Sequence, residues 1–277
     1  MKTIINLKSI VILIVTIVLS FSVSCKQGKK SSNENGTLVS TGIDKTHIER
    51  EVREFVYPLP TSFEITEMLQ RINAAFILTI TNPVSNFDRY LTDSKKAINL
   101  GIYGADLSYV ATYNQKQEIV NYMNVCKNII DAMNITGALS TDIIEKVEQN
   151  QDDKDFLVEL ITNTFFDTYE ILNQGGRGYS SMLVIAGSWI EALYIATNIT
   201  KSTFENKEMV QTIAAQKVSL EKLISLMETM TDESVVEVTK QLLPIRNIYN
   251  TIGENMTIEQ LESLTKEISA VRAQMIQ

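Results

Sequence analysis

Apolar residues recur along most of this chain at intervals of three and four, and nowhere at a sustained interval of two. That is the period of one face of a helix, so the pattern predicts an all-α chain. Ile65, Met68, Leu69, Ile72 and Phe76 mark a first helix, opened by a capping box from Thr61 to Glu64 and ended by Asn82-Pro83. A long helix is expected over 91–113. Another follows Ile119, Tyr122, Met123, Cys126, Ile129, Ile130 and Met133 and closes near 134–137. A short helix starts at Ser140 or Thr141. The next carries Leu157, Leu160, Ile161, Thr164, Thr168, Ile171 and Leu172 and breaks at Gly175-Gly176-Arg177-Gly178. Helices over 180–197 and 205–230 follow. Pro244 kinks or divides the one after, Gly253 stops it, and Thr257 to Gln260 form a second capping box. In the last helix Leu261, Leu264, Ile268, Val271 and Met275 alternate three and four, the seam of a helix laid along its neighbours. The expected architecture is a multi-helix bundle.

An internal echo refines this expectation. Setting 99–112 on 184–197 matches Tyr109 to Tyr194, Ala111 to Ala196 and Thr112 to Thr197, and places Asp106 on Glu191. Such a pairing suits two pseudo-repeated antiparallel helical sub-bundles, although unrelated amphipathic helices align about as well.

Ahead of the helical part the pattern changes twice. Lys2 and Lys8 precede an apolar run from Ile10 to Leu19, interrupted only by Thr16, and Ser22-Val23-Ser24-Cys25 follows. A basic start, a short apolar stretch and small residues before a cysteine read as a lipoprotein signal peptide over 1–24. Cys25 is then the lipidated first residue of the mature chain, with Ser22 where such boxes usually carry Leu. The alternatives are a secretory signal cut without lipidation and an uncleaved anchor helix, for which the run is short. Residues 25–56 form a tether and leader, polar over 26–43 and with a short helix from Asp44 to Phe55. Tyr57-Pro58-Leu59-Pro60 is extended and opens the helical domain, 57–277. The address expected is the bacterial cell envelope, with the membrane held through the N-terminal lipid.

Composition narrows the partners. Cleavage removes Lys2 and Lys8 and no acid, taking the formal charge from −8 to −10. A surface of that sign repels phosphate backbones, so no nucleic acid is expected. With Cys25 acylated, Cys126 has no disulfide partner, and its place in an apolar stripe reads as a small buried hydrophobe. Across Tyr57–Phe63 and Asn99–Tyr113 the chain resembles helical envelope lipoproteins of the Bacteroidetes type. The resemblance implies a similar helical envelope protein and carries over no activity and no functional residue.

Few residues suggest chemistry. Asp106 and Glu191 each lie among small and apolar residues of a helix, where a carboxylate needs a partner. They either face one another across a ligand cleft or take hydrogen bonds from neighbouring helices. With Trp189, Tyr109 and Tyr194 they form the candidate ligand-binding set, which is equally read as core. His47 is the only histidine, which excludes catalytic triads, zinc-protease motifs and a di-iron carboxylate site with its two histidines. No metal or cofactor is therefore expected. The glycine-rich stretch around Arg177 reads as an anion-holding helix start or as a connection capped by Ser180. Ser219-x-x-Lys222 lacks the companion motifs of penicillin-interacting enzymes. The balance favours a non-enzymatic binding or assembly module docking an envelope protein, with a small-molecule receptor near Asp106 and Glu191 as the alternative.

Overall fold

The computed structural model describes residues 62–277 apart from 136, 141 and 201–203. The readings of the signal peptide, Cys25, the tether, His47, the 44–55 helix and Thr61 lie outside the described residues. Helix α1 (Ser62–Arg71) is followed by two short 3₁₀ turns, Leu78–Ile80 and Val84–Arg89. Then come α2 (Asp93–Thr112), α3 (Lys116–Ala132), α4 (Ile143–Gln149) and α5 (Lys154–Gln174). The order ends with α6 (Gly178–Thr200), α7 (Lys207–Met227), α8 (Glu233–Tyr249) and α9 (Ile258–Met275). No strand occurs among the described residues, as the absence of a period-two pattern requires.

Polar side chains start these helices where the sequence supplies them. Thr92, Asp153 and Asn206 each accept a backbone N–H of the first turn of α2, α5 and α7. Thr257 and Gln260 form the expected reciprocal box on α9. Helix ends are a different matter. Asn73, Asn114 and Asn134 have φ of 56°, 51° and 54°, and Gly176 has 72°. At each, the next residue's N–H reaches back five positions, as Ala74 does to Leu69 O at 2.9 Å and Gln115 to Val110 O at 2.9 Å. The left-handed residue turns the chain and satisfies the last free carbonyls.

Three expectations change here. The first helix stops at Arg71, not at Asn82-Pro83, because Asn73 supplies that left-handed turn, so Phe76 lies beyond the helix. Pro244 neither divides nor ends α8; it lies on the exposed side, where a carbonyl left without its helical partner is open to hydration. Ser180 is no cap but a fully buried residue inside the first turn of α6.

At the centre, α2 lies against α6. Every residue from Ala97 to Thr112 is buried, and α6 is apolar on all sides. By length and composition α6 is able to cross a membrane, yet 83% of its most apolar window is buried within the protein. Two glycines let the pair close. A Cβ on Gly101 would meet Val184 O at 1.9 Å, and one on Gly187 would meet Ile98 O at 2.0 Å. Each glycine thus rests on the carbonyl three residues before the other. Around this pair, α3 packs on α2 with α4 outside it, α7 and α9 pack on α6 with α8 joining them, and α1 and α5 touch both.

Candidate functional site

Between α1 and α2 the chain runs as an irregular strap over 72–91, its backbone drawn into the bundle. Buried peptide groups outside regular structure need partners, and here side chains provide them. Tyr113 Oη donates to Ala74 O at 2.9 Å, and Tyr109 Oη accepts the Ile77 N–H at 2.9 Å. Arg272 Nη2 donates to Ile80 O at 3.2 Å. Asp106 Oδ2 accepts the Asn82 N–H at 3.0 Å, and Tyr122 Oη donates to Asn82 O at 3.1 Å. Tyr103 Oη closes the series on Pro83 O at 2.9 Å. The Asn82 side chain adds bonds with Tyr90, Asn86 and Asn99. These donors and acceptors come from α2, α3 and α9, so the strap ties three helices together.

Asp106 and Glu191 come together at the α2–α6 seam, both without exposure to solvent. Glu191 is held by Arg272 in a forked pair, Nε to Oε2 at 2.6 Å and Nη2 to Oε1 at 2.8 Å. The guanidinium also lies 4.1 Å from the centre of the Tyr194 ring, a cation–π contact. Burial would lower the Arg272 pKa, but the Glu191 carboxylate beside it holds the pKa above its usual value, so the cation is firm. Asp106 moves the other way. Burial and then the Glu191 charge raise it well above the ordinary carboxylate range.

Of the residues expected to bind a ligand, Asp106 and Tyr109 thus bind the strap. Glu191 and Tyr194 face Arg272, which binds the strap in turn, and Trp189 is buried in the core cluster. Arg272 went unread in the sequence. Its spacing was available: it follows Ile268 by four and Leu261 by eleven on the same seam. A charge on a helix is ordinarily assigned to the outer face, and only the pairing with Glu191 explains its burial. Asn82 reads in the sequence as a helix stop, and nothing there marks its bond to Asp106, which its backbone N–H makes.

The remaining candidates are occupied elsewhere. Arg177 Nη1 donates to Met133 O at 2.7 Å and so closes the end of α3. Cys126 is a buried free thiol, its pKa pushed up by burial. A surface recess of about 540 Å³ is lined by Gln149, Asn150 and 152–155, where Asp153 caps α5 and Asp152 pairs with Lys116. Among the described residues no three His, Cys, Asp or Glu side chains gather as a metal requires.

The fold and site therefore define an all-helical bundle with a buried acid–arginine cluster that fastens a surface strap. Comparison with protein families, curated proteins and solved structures finds no match.

Proposed function

We propose that this chain is a lipid-anchored, non-enzymatic binding or assembly module of a bacterial cell envelope, docking an envelope protein on the outer face of the strap. The observation that carries the reading is where exposed apolar side chains fall. Of seven large ones exposed among the described residues, four lie between Ile77 and Leu91: Ile77 and Leu78 at 42%, Val84 at 36% and Leu91 at 80%. Exposed apolar groups gathered on one element mark interaction surfaces, whereas single scattered ones do not. The inner side of the same strap is bonded to three helices, so its outer side is held in one shape and costs little further ordering on binding.

The N-terminal reading belongs to the same proposal. A lipid on Cys25 holds the chain at the membrane through a polar tether, and an acidic chain avoids nucleic acid. So does a division into sub-bundles gathered on α2 and α6. Gly101 and Gly187, eighty-six positions apart, occupy equivalent places in the seam, one residue off the register of the Asp106–Glu191 echo. A receptor pocket near Asp106 and Glu191 has less support, because Asp106 Oδ2 and both Glu191 oxygens are bonded within the chain and neither side chain reaches the surface.

Site-specific photo-crosslinking in cells tests the docking surface. A crosslinker in place of Ile77, Leu78 or Leu91 is expected to capture one discrete protein, and one in place of the exposed Val218 to capture none. Equal capture at Val218, or none anywhere, contradicts the reading. Fatty-acid labelling of the full chain that survives Cys25→Ser contradicts the lipid anchor.

A further inference from the structure

The acid pair at the α2–α6 seam leaves a charge unbalanced. Two carboxyl groups share one cation, Arg272, whose Nε and Nη2 are both committed to Glu191. Among the described residues Asp106 receives only the Asn82 N–H on Oδ2, and Oδ1 is buried with no donor. A carboxylate oxygen in that position loses its hydration for nothing in return. Asp106 and Glu191 are both closed off from solvent at this seam, and the Glu191 charge bears on the Asp106 carboxyl group. Two carboxylates so placed repel; a carboxylic acid beside a carboxylate makes a short, strong hydrogen bond.

We infer that Asp106 is a neutral carboxylic acid in the folded chain, its Oδ1 hydroxyl donating to Glu191, and that this one buried proton latches the strap. The cluster of neutral acid, carboxylate and guanidinium then has no net charge. Loss of the proton to solvent leaves a net charge of −1 at a place closed to water. Asn82 N–H and Ile80 O, the strap groups bonded to Asp106 and Arg272, lie next to that change.

Among the described residues the other groups facing Asp106 do not supply a second cation. Tyr103 and Tyr109 on α2, Tyr122 and Cys126 on α3, and Glu191 on α6 are acids, and Arg272 on α9 is already paired. Toward α1 the helix presents Ser108 and Thr112, bonded to Ser62 and Thr66, and toward α5 Gly104 meets the Phe165 ring. Burial and the Glu191 charge both push the Asp106 pKa up, in line with the unsatisfied oxygen.

The sign of the pH effect follows. A group whose folded pKa lies above its unfolded value stabilises fully below the unfolded value, and that contribution is lost as pH rises toward the folded one. Asp106→Asn keeps a neutral donor and an acceptor but cannot titrate. For the full chain in mild detergent, the folding constant of Asp106→Asn relative to wild type is expected to rise by up to tenfold per pH unit from about pH 5 to about pH 8. A ratio flat across that range overturns the inference. Infrared spectra of the wild-type chain near pH 7 serve even where the variant does not fold: a protonated-carboxyl band is expected, and its absence overturns the inference. Amide exchange at Ile77 and Asn82 tests the latch itself. In the wild type it is expected to accelerate with pH beyond the intrinsic rise, whereas an intrinsic rise alone refutes latching. Regulation of docking by this proton rests on the docking reading above. The infrared and exchange results do not depend on a partner, so failure of the one is distinguishable from failure of the other.

Discussion

Arg272 carries three bonds at once: two to Glu191 and one to Ile80 O. Removing a single member of a buried ion pair leaves its partner charged and unsolvated, which costs about 3–5 kcal/mol. Arg272→Met, close in volume and uncharged, is therefore expected to lower unfolding free energy by roughly that amount in denaturant titrations. A loss below about 1 kcal/mol, the scale of an exposed pair, would mean the cluster is solvated. Tyr109→Phe removes the acceptor of the Ile77 N–H, and its cost is expected near 1–3 kcal/mol with faster exchange of that amide. At this scale the sequence was half legible. Asp106 and Glu191 stood out because acids among glycine and alanine on an apolar helix demand partners. Arg272 did not, because a long side chain that snorkels from a helix edge looks the same in sequence as one that turns inward.

Among the helices, the α2–α6 contact depends on two missing side chains. Alanine at Gly187 raises helix propensity by about 1 kcal/mol. Its Cβ, however, falls 2.0 Å from a backbone oxygen that cannot rotate away, and overpacking of this kind costs about 1–3 kcal/mol or more. The steric cost wins, so Gly187→Ala and Gly101→Ala are each expected to lower the melting temperature, while Gly253→Ala, with open space around it, is not. Helix ends give a second check. Asn114 sits at φ 51°, which glycine adopts freely and asparagine tolerates through local bonding of its short polar side chain, so Asn114→Ala destabilises and Asn114→Gly does not. Helix existence was readable throughout because the apolar stripes run long. The end of α1 was not: Asn73 interrupts a stripe that Ile72 and Phe76 otherwise continue, and an asparagine is an ambiguous stop beside the proline at 83.

For the whole molecule, periodicity specified an all-α bundle but said nothing of the strap, whose residues follow no period. Its bonds depend on contacts between parts of the chain as distant as Ile80 and Arg272. In the docking proposal this segment turns its backbone inward and offers its outer side to a partner. Native mass spectrometry of the full chain, purified gently from the cells that make it, is the sharpest test of that proposal. The claim predicts a discrete added protein mass that disappears on the double substitution Ile77→Ser and Leu78→Ser, with the chain still folded. A small bound mass that instead disappears on Asp106→Asn would contradict it and return the acid pair to the role of a ligand site.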